Sequence, residues 1–495
     1  MASVYLLTAA GRFANYDAES MFAVTRSLYE RGSLDVGPCE ARSWSIACVP
    51  GADGRYYSGY GVIPSVAALP FYAAGRAAGE ITGFDADLAT GASVSFMNSL
   101  VGALACVALF LWAVYAGCTV RQSLLAAVLL AFATPLWFHS TKEFYSEPLF
   151  TFFLVGSFAG LSRRNRNSSI IAGVLFGLAV GTRVFGLIYL PVAVGYALLA
   201  SRPPQSGRAS ALWFLLPVLV CLGGVGLVNQ IRFGSPLDTG YHIALPTLGS
   251  VFSTPLADGL WGNLADGDVG LLWFAPLILL LPLTWGRFHR AYRLESFVCI
   301  AVVAMSLTFF SVYTYWKGGW SYGPRLLTPV LPFLIFPLSP MLSRASGNRL
   351  SHSTVARAAL VLIPIAIAIQ MIGIIPPYSR HYYLRAYYDV EYPRRWWHRS
   401  LLLKNVKDVP GVMAHVSPPA SRGETVPTAT AAISVRSEKD QYLLRLPNSI
   451  NQIAPDVWWL KAAALGTPWF LLAPVVLLLG LFSVAAASRL GRVNA

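Results

Sequence analysis

Fourteen arginines sit in six short connections between apolar runs: Arg121; Arg163, Arg164 and Arg166; Arg202 and Arg208; Arg287, Arg290 and Arg293; Arg344, Arg349 and Arg357; Arg489 and Arg492. They equal the net charge of +14 of the whole 495-residue chain, so the remaining basic residues are matched one for one by the 23 Asp and Glu. Among those acids only Glu295 borders an Arg-bearing connection. Basic residues in short loops stay on the cytoplasmic side of a membrane. The six connections are therefore expected inside, and nearly every carboxylate, with any acid–base chemistry, outside.

Hydrophobic residues make up 55% of the chain and charged ones 12%, with a mean hydropathy of +0.55, which excludes an ordinary soluble globule. An isoelectric point near 9.6 would otherwise suggest nucleic acid. Here the charge is spread through short loops and reads as orientation, so no nucleic-acid partner is expected. Spanning a bilayer takes roughly 17 to 25 apolar residues. Such stretches run over about 93–117, 122–138, 148–161, 169–182, 184–200, 211–229, 269–285, 296–313, 326–342, 355–375 and 466–487. With direction alternating, every Arg-bearing connection lands inside and the C-terminus is cytoplasmic. Met1 to Gly11 must then carry the chain across as an abbreviated span; it has neither the basic start nor the cleavage site of a signal peptide.

The expected fold is an all-α integral membrane protein. It is a polytopic bundle of about 11–12 transmembrane helices with outer-face interfacial helices and a smaller extracytoplasmic C-terminal segment. Residues 1–375 form the transmembrane module, with an outer loop at 12–92; residues 376–465 lie outside the membrane, and 466–495 hold the last span and a cytoplasmic tail. Within the first outer loop, a helix-like stretch covers Asn15 to Glu30, and a short apolar run at 62–74 reads as an interfacial helix. Cys39 and Cys48 share that polar loop, where a disulfide is chemically allowed; the other four cysteines lie in or beside apolar runs. The segment from 376 opens with Tyr378, Tyr382, Tyr383, Tyr387, Tyr388, Tyr392, Trp396 and Trp397, an aromatic belt at the headgroups or a sugar-stacking surface.

Four constellations on the outer face can carry chemistry. In Asn15-Tyr-Asp-Ala-Glu19, Asp17 and Glu19 stand about 200° apart on a helix, so one of them faces a pocket. That residue could serve as a general base, while an N-cap role for Asp17 is equally open. The turn His139 to Pro148 brings His139, Lys142, Glu143 and Glu147 together in a short connection. With Pro148 expected at the first helical position, Glu147 would be a cap. Trp316-Lys-Gly-Gly-Trp-Ser-Tyr-Gly-Pro-Arg325 puts Lys317 and Arg325 at a helix start, where a cation is unfavourable unless an anion joins it. Arg183 turns a tight hairpin between two spans. For both arginines, headgroup snorkelling and a phosphate contact fit the same geometry.

In order and sidedness these motifs form a set: the acid after the first span, Arg55-Tyr-Tyr-Ser-Gly-Tyr-Gly61, Tyr145-Ser-Glu-Pro-Leu149, Gly234-Ser-Pro236 and Trp320-Ser-Tyr-Gly-Pro-Arg325. The set resembles the bacterial multi-pass glycosyltransferases of the GT-C class. Nearest are those related to protein O-mannosyltransferases and lipid A aminoarabinose transferases (glycosyltransferase family 39-like). The resemblance covers most of residues 12 to 375. It implies a polyprenyl-phosphate-linked sugar donor and inverting transfer to the hydroxyl of a glycan, lipid or protein acceptor, on the extracytoplasmic side of the cytoplasmic membrane. Asp17 would be the base, with Glu19 its neighbour and Glu143 or Glu147 the second acid. Arg183, Lys317, Arg325 and Lys142 would hold the donor phosphate, and Tyr57, Tyr60, His139, Trp320 and Tyr322 would line the substrate pocket. Some class members use a divalent metal; no metal cage is evident in this sequence, and no cofactor is expected. The rival reading is a lipid-linked sugar flippase or secondary transporter. Such proteins carry internal repeats and midplane charges, which this chain lacks.

Overall fold

The computed structural model describes residues 1–13, 15–39, 47–83, 85–200, 206–244, 251–319, 321–342, 349–379, 381, 400–414, 455–464 and 469–493. Helix dominates them. The first eleven helices are α1 (Ala2–Thr8), α2 (Tyr16–Arg31), α3 (Ile63–Ala67), α4 (Leu69–Thr82), α5 (Ala86–Ala116), α6 (Val120–Phe132), α7 (Leu136–Thr141), α8 (Ser146–Ser162), α9 (Arg166–Thr182), α10 (Leu190–Ala200) and α11 (Gly207–Phe233). A two-stranded antiparallel ribbon, β1 (Val49–Pro50) and β2 (Tyr56–Tyr57), sets Val49 opposite Tyr57.

Five described helices are long and apolar enough to cross a membrane: α5, α11, Arg293–Val312, Thr354–Ile374 and Leu472–Arg489. With 31 residues, α5 extends about 46 Å and overshoots a hydrocarbon core of about 30 Å. Several stretches expected as single spans are broken instead. The 122–138 run splits into α6 and α7 around Ala133–Pro135. The 326–342 run is a chain of 3-10 and α segments, Arg325–Val330, Leu331–Ile335, Phe336–Leu338 and Ser339–Leu342. The 269–285 run breaks into Leu271–Phe274, Pro276–Leu280 and Leu281–Ala291. Proline explains each break, since Pro135, Pro276, Pro329, Pro332 and Pro337 lack the N–H that a continuous helix requires. The apolar run at 62–74 likewise forms two pieces, α3 and the start of α4, each with proline in its first turn.

The core follows from one chain of packed helices: α5 lies on α8, α8 on α9, and α9 on α11. Gly173 lets α9 meet the α11 backbone, and Gly177 makes room for the Cys221 side chain. A Cβ on Gly173 would stand 2.1 Å from the Phe214 carbonyl, and one on Gly177 2.3 Å from Cys221 Cβ. Small residues four apart are how helices approach closely in lipid, where no hydrophobic effect drives them together. Deeper in the bundle Trp112 is fully buried against Phe158, Phe333 and Phe336. Between α2 and α3 Cys39 and Cys48 are joined by a disulfide. Of the aromatic segment, Tyr378 is buried, while Tyr382 to Trp397 fall outside the described residues.

Candidate active site

Helix α2 begins at Tyr16 because Asn15 caps it, its side chain accepting from the Ala18 N–H at 2.9 Å. Asp17 is thereby free of the capping role and stands in the first turn with 27% of its side chain exposed. Its Oδ2 lies 2.7 Å from Arg325 Nη1. Burial pushes the Asp17 carboxyl up, but the Arg325 charge and hydrogen bonds from Tyr60 and Arg325 outweigh it and hold the group below its ordinary range. Glu19 is half-buried in the same turn, two residues along.

Arg325 is the first residue of its 3-10 turn, with Pro324 at the cap, and it is 3% exposed. Its Nε donates to Glu147 Oε1 at 2.7 Å, and the same oxygen accepts from Arg183 Nη2 at 2.5 Å. Arg183 also donates from Nε to Ser146 Oγ at 2.7 Å. Two guanidiniums and two carboxylates therefore balance in charge, which makes burial of Arg325 and Glu147 tolerable. The anion that a cation at this helix start demands is supplied by the protein itself. Two donor groups, Arg325 Nη2 and Arg183 Nη1, take no part in these contacts. The face of Tyr145 lies 4.1 Å from the Arg325 guanidinium carbon, fixing its plane.

Helix α8 begins two residues earlier than Pro148 at the first helical position implies. Its cap is Tyr145, so Glu147 is the second helical residue and Pro148 the third. The first turn lacks intrahelical N–H partners anyway, so proline costs nothing there.

The backbone of the Tyr60 loop runs directly over the end of α9. A Cβ on Gly61 would meet the Gly181 carbonyl at 2.1 Å, so only glycine allows Tyr60 to reach Asp17 while Arg183 reaches Glu147. Arg232, near the end of α11, secures the loop through its Nη1, which donates to the Ser58 and Tyr60 carbonyls at 2.7 and 3.0 Å. A narrow cleft opens here, lined by Val180, Val184, Val225 and Val228 together with Arg183 and Tyr241.

Other residues expected at the site stand apart from these ion pairs. Lys142 is buried, and its ammonium donates to the Thr8 carbonyl at 2.7 Å and to the Asp456 carbonyl. It ties α1 to the segment before the last helix, and both of its contacts lie away from the Asp17–Arg325–Glu147 ion pairs. Glu143 Oε1 accepts from the Tyr378 hydroxyl at 2.6 Å, and that hydroxyl is 3.3 Å from the Tyr145 hydroxyl. His139 bonds Ser321 and Thr328 at 3.0 and 2.7 Å; burial and the Arg325 charge lower its pKa to about 3 and keep it neutral. Tyr57 is turned away, its hydroxyl donating to Asp53 at 2.8 Å and its ring packed with Val49 and Phe233. Tyr322 is buried with its hydroxyl on the Ile369 carbonyl at 2.7 Å. Lys317 is half-buried, its ammonium 5.3 Å from the Trp316 ring centre. Trp320 lies outside the described residues. The sequence reading missed Asn15, Tyr145 as a stacking partner, and Arg232. The first could have been found from the preference of Asn for caps.

Among the described residues no three His, Cys, Asp or Glu groups come together as metal ligands. The two central carboxylates are each bound to guanidinium, a donor set that does not fit a divalent cation.

No protein-family model and no curated protein matches the sequence. Among solved structures, the archaeal oligosaccharyltransferase AglB from Archaeoglobus fulgidus, in complex with an inhibitory peptide and a dolichol-phosphate, superposes with a TM-score of 0.42 at 12% identity, over 78% of this chain and 56% of that one. The apo form of the Archaeoglobus fulgidus oligosaccharyltransferase gives 0.41 at 12% identity, over 88% and 65%. The chain thus spans less than two thirds of the length of these neighbours. A likeness of this degree leaves function to be argued from the site itself.

Proposed function

We propose that this protein is a membrane glycosyltransferase that moves a sugar from a polyprenyl-phosphate donor to an acceptor hydroxyl on the extracytoplasmic face. The observation that carries the reading is Asp17: an ionised, partly open carboxylate, relieved of capping by Asn15 and aimed by Arg325 and Tyr60. In the proposed step the acceptor oxygen attacks the anomeric carbon and its proton passes to Asp17. The bond between that carbon and the donor phosphate breaks, and the lipid phosphate leaves with the electron pair. Attack from the face opposite the leaving group inverts the configuration.

Arg183 and Arg325 stabilise the charge that grows on the departing phosphate, through the N–H groups not engaged by Glu147, Asp17, Ser146 or Gly318. Glu147 orients both guanidiniums and is proposed as a positioning acid rather than as the base. The valine-lined cleft that Arg183 borders suits the first apolar units of a polyprenyl chain; its free volume, about 30 Å³, requires it to widen as the donor enters.

The test is transfer of radiolabelled sugar in membranes carrying the protein, with a panel of polyprenyl-phosphate-linked monosaccharides. Protein-dependent incorporation into a product no longer soluble in the donor's extraction solvent supports the reading. Loss of donor label from one leaflet without a new glycosidic product would replace it with lipid-linked sugar translocation.

A further inference from the structure

A second cleft, of about 560 Å³, opens on the outer loop beyond the end of α2. That volume falls within the range of small-molecule sites. Arg31, Asp35, Pro38, Arg55 and Tyr56 line it. Strand alternation divides the two tyrosines: Tyr57 is buried at 3% exposure, whereas Tyr56 turns outward at 37%.

Arg31 and Asp35 are tied to one another, and Asp35 to the backbone beside it. Arg31 Nη2 contacts Asp35 Oδ1 at 2.8 Å and Ser27 Oγ at 2.6 Å, and Asp35 accepts from the Gly37 N–H at 2.9 Å. Arg55 pairs with Asp53 at 3.6 Å. The cleft pairs Arg31 with Asp35 within its lining and Arg55 with Asp53 beside it. It offers planar donors and acceptors beside an aromatic side chain. That combination suits a saccharide, whose C–H face stacks on the ring and whose hydroxyls both donate and accept.

The cleft is also tied to the proposed base. Asp17 and Arg31 lie fourteen residues apart on the single helix α2, which separates them by about 21 Å. Tyr60, bonded to Asp17, is four residues from Tyr56, at most about 14 Å along the chain. The Cys39–Cys48 disulfide closes the loop adjoining Pro38.

We propose that this cleft is an acceptor subsite for a saccharide chain, so that the acceptor is a glycan rather than a lipid or a protein. The proposal rests on the glycosyltransferase reading. Its test is binding without donor: purified full-length protein in detergent, titrated with linear oligosaccharides of one to six mannose, arabinofuranose, glucose or galactose units and read by saturation-transfer NMR. At least one series should bind, more tightly as it lengthens. Tyr56→Ala and Arg55→Ala should each weaken that binding at least tenfold while keeping the wild-type unfolding temperature. Binding by no series, or binding unchanged in both variants, overturns the proposal. Because no transfer is measured, failure of the glycosyltransferase reading would appear separately in the donor assay.

Discussion

Arg325 Nη1 lies 2.7 Å from Asp17 Oδ2, while its Nε lies 2.7 Å from Glu147 Oε1. A single planar group thus joins the first turn of α2 to the first turn of α8. Lysine carries the same charge at one point and cannot hold both carboxylates in this geometry. Arg325→Lys should reduce the initial rate of sugar transfer about 10- to 100-fold, the loss expected for one charged hydrogen bond of about 1.5–3 kcal/mol. Initial rates at saturating donor, with expression matched, check this.

Glu147 is 1% exposed and its Oε1 is shared by two arginines. In Glu147→Gln both guanidiniums lose their common counter-charge while remaining buried. Breaking a buried pair in this way costs about 3–5 kcal/mol. A clear fall in the unfolding temperature in detergent is expected, and Glu147→Asp should lie between the variant and the wild type.

Asp17 titrates below its ordinary value of 3.8 despite burial, because of Arg325 and Tyr60. A depressed carboxylate contributes its stability above the unfolded pKa and loses it as the pH falls through the folded one. The Asp17 contact is therefore intact throughout the neutral range, and the acid limb of kcat/KM should lie below pH 3.8. Tyr60→Phe removes one of the bonds holding the carboxylate down, so its acid limb should move upward. A pH–rate profile of the two proteins gives the comparison.

On the far side of α1, Asp456 pairs with Arg12 at 3.0 Å and with Lys461, and its carbonyl accepts from Lys142. Burial, reinforced by the Arg12 charge, lowers Lys461 to about 7, and burial lowers Lys142 to about 8. The unfolded lysines titrate near 10.5, so between pH 7 and 10 the unfolded chain holds more protons and stability rises with pH. Lys461→Met should flatten the rise of unfolding temperature between pH 7 and 9.

Particular residues mark how far the sequence could be read. The grouping of Asp17, Glu147, Arg183 and Arg325 was foreshadowed because charge in a chain this apolar falls at the ends of its apolar runs. Whether Asp17 capped its helix was not legible from spacing, since Asn15 and Asp17 are both good caps and only the backbone turn chooses between them. Lys142 and Glu143 are adjacent yet serve different partners, Asp456 and Tyr378, because those partners come from distant parts of the chain. Broken spans such as 326–342 read as one apolar run: hydropathy ignores the prolines that interrupt the hydrogen bonding.

The central claim is that Asp17 takes the acceptor proton. Asp17→Asn keeps the shape and its place beside Arg325 but cannot accept that proton. In membranes with matched expression, transfer from the active polyprenyl-phosphate donor should fall at least a hundredfold in Asp17→Asn while the donor still binds. Wild-type transfer by Asp17→Asn would contradict the account.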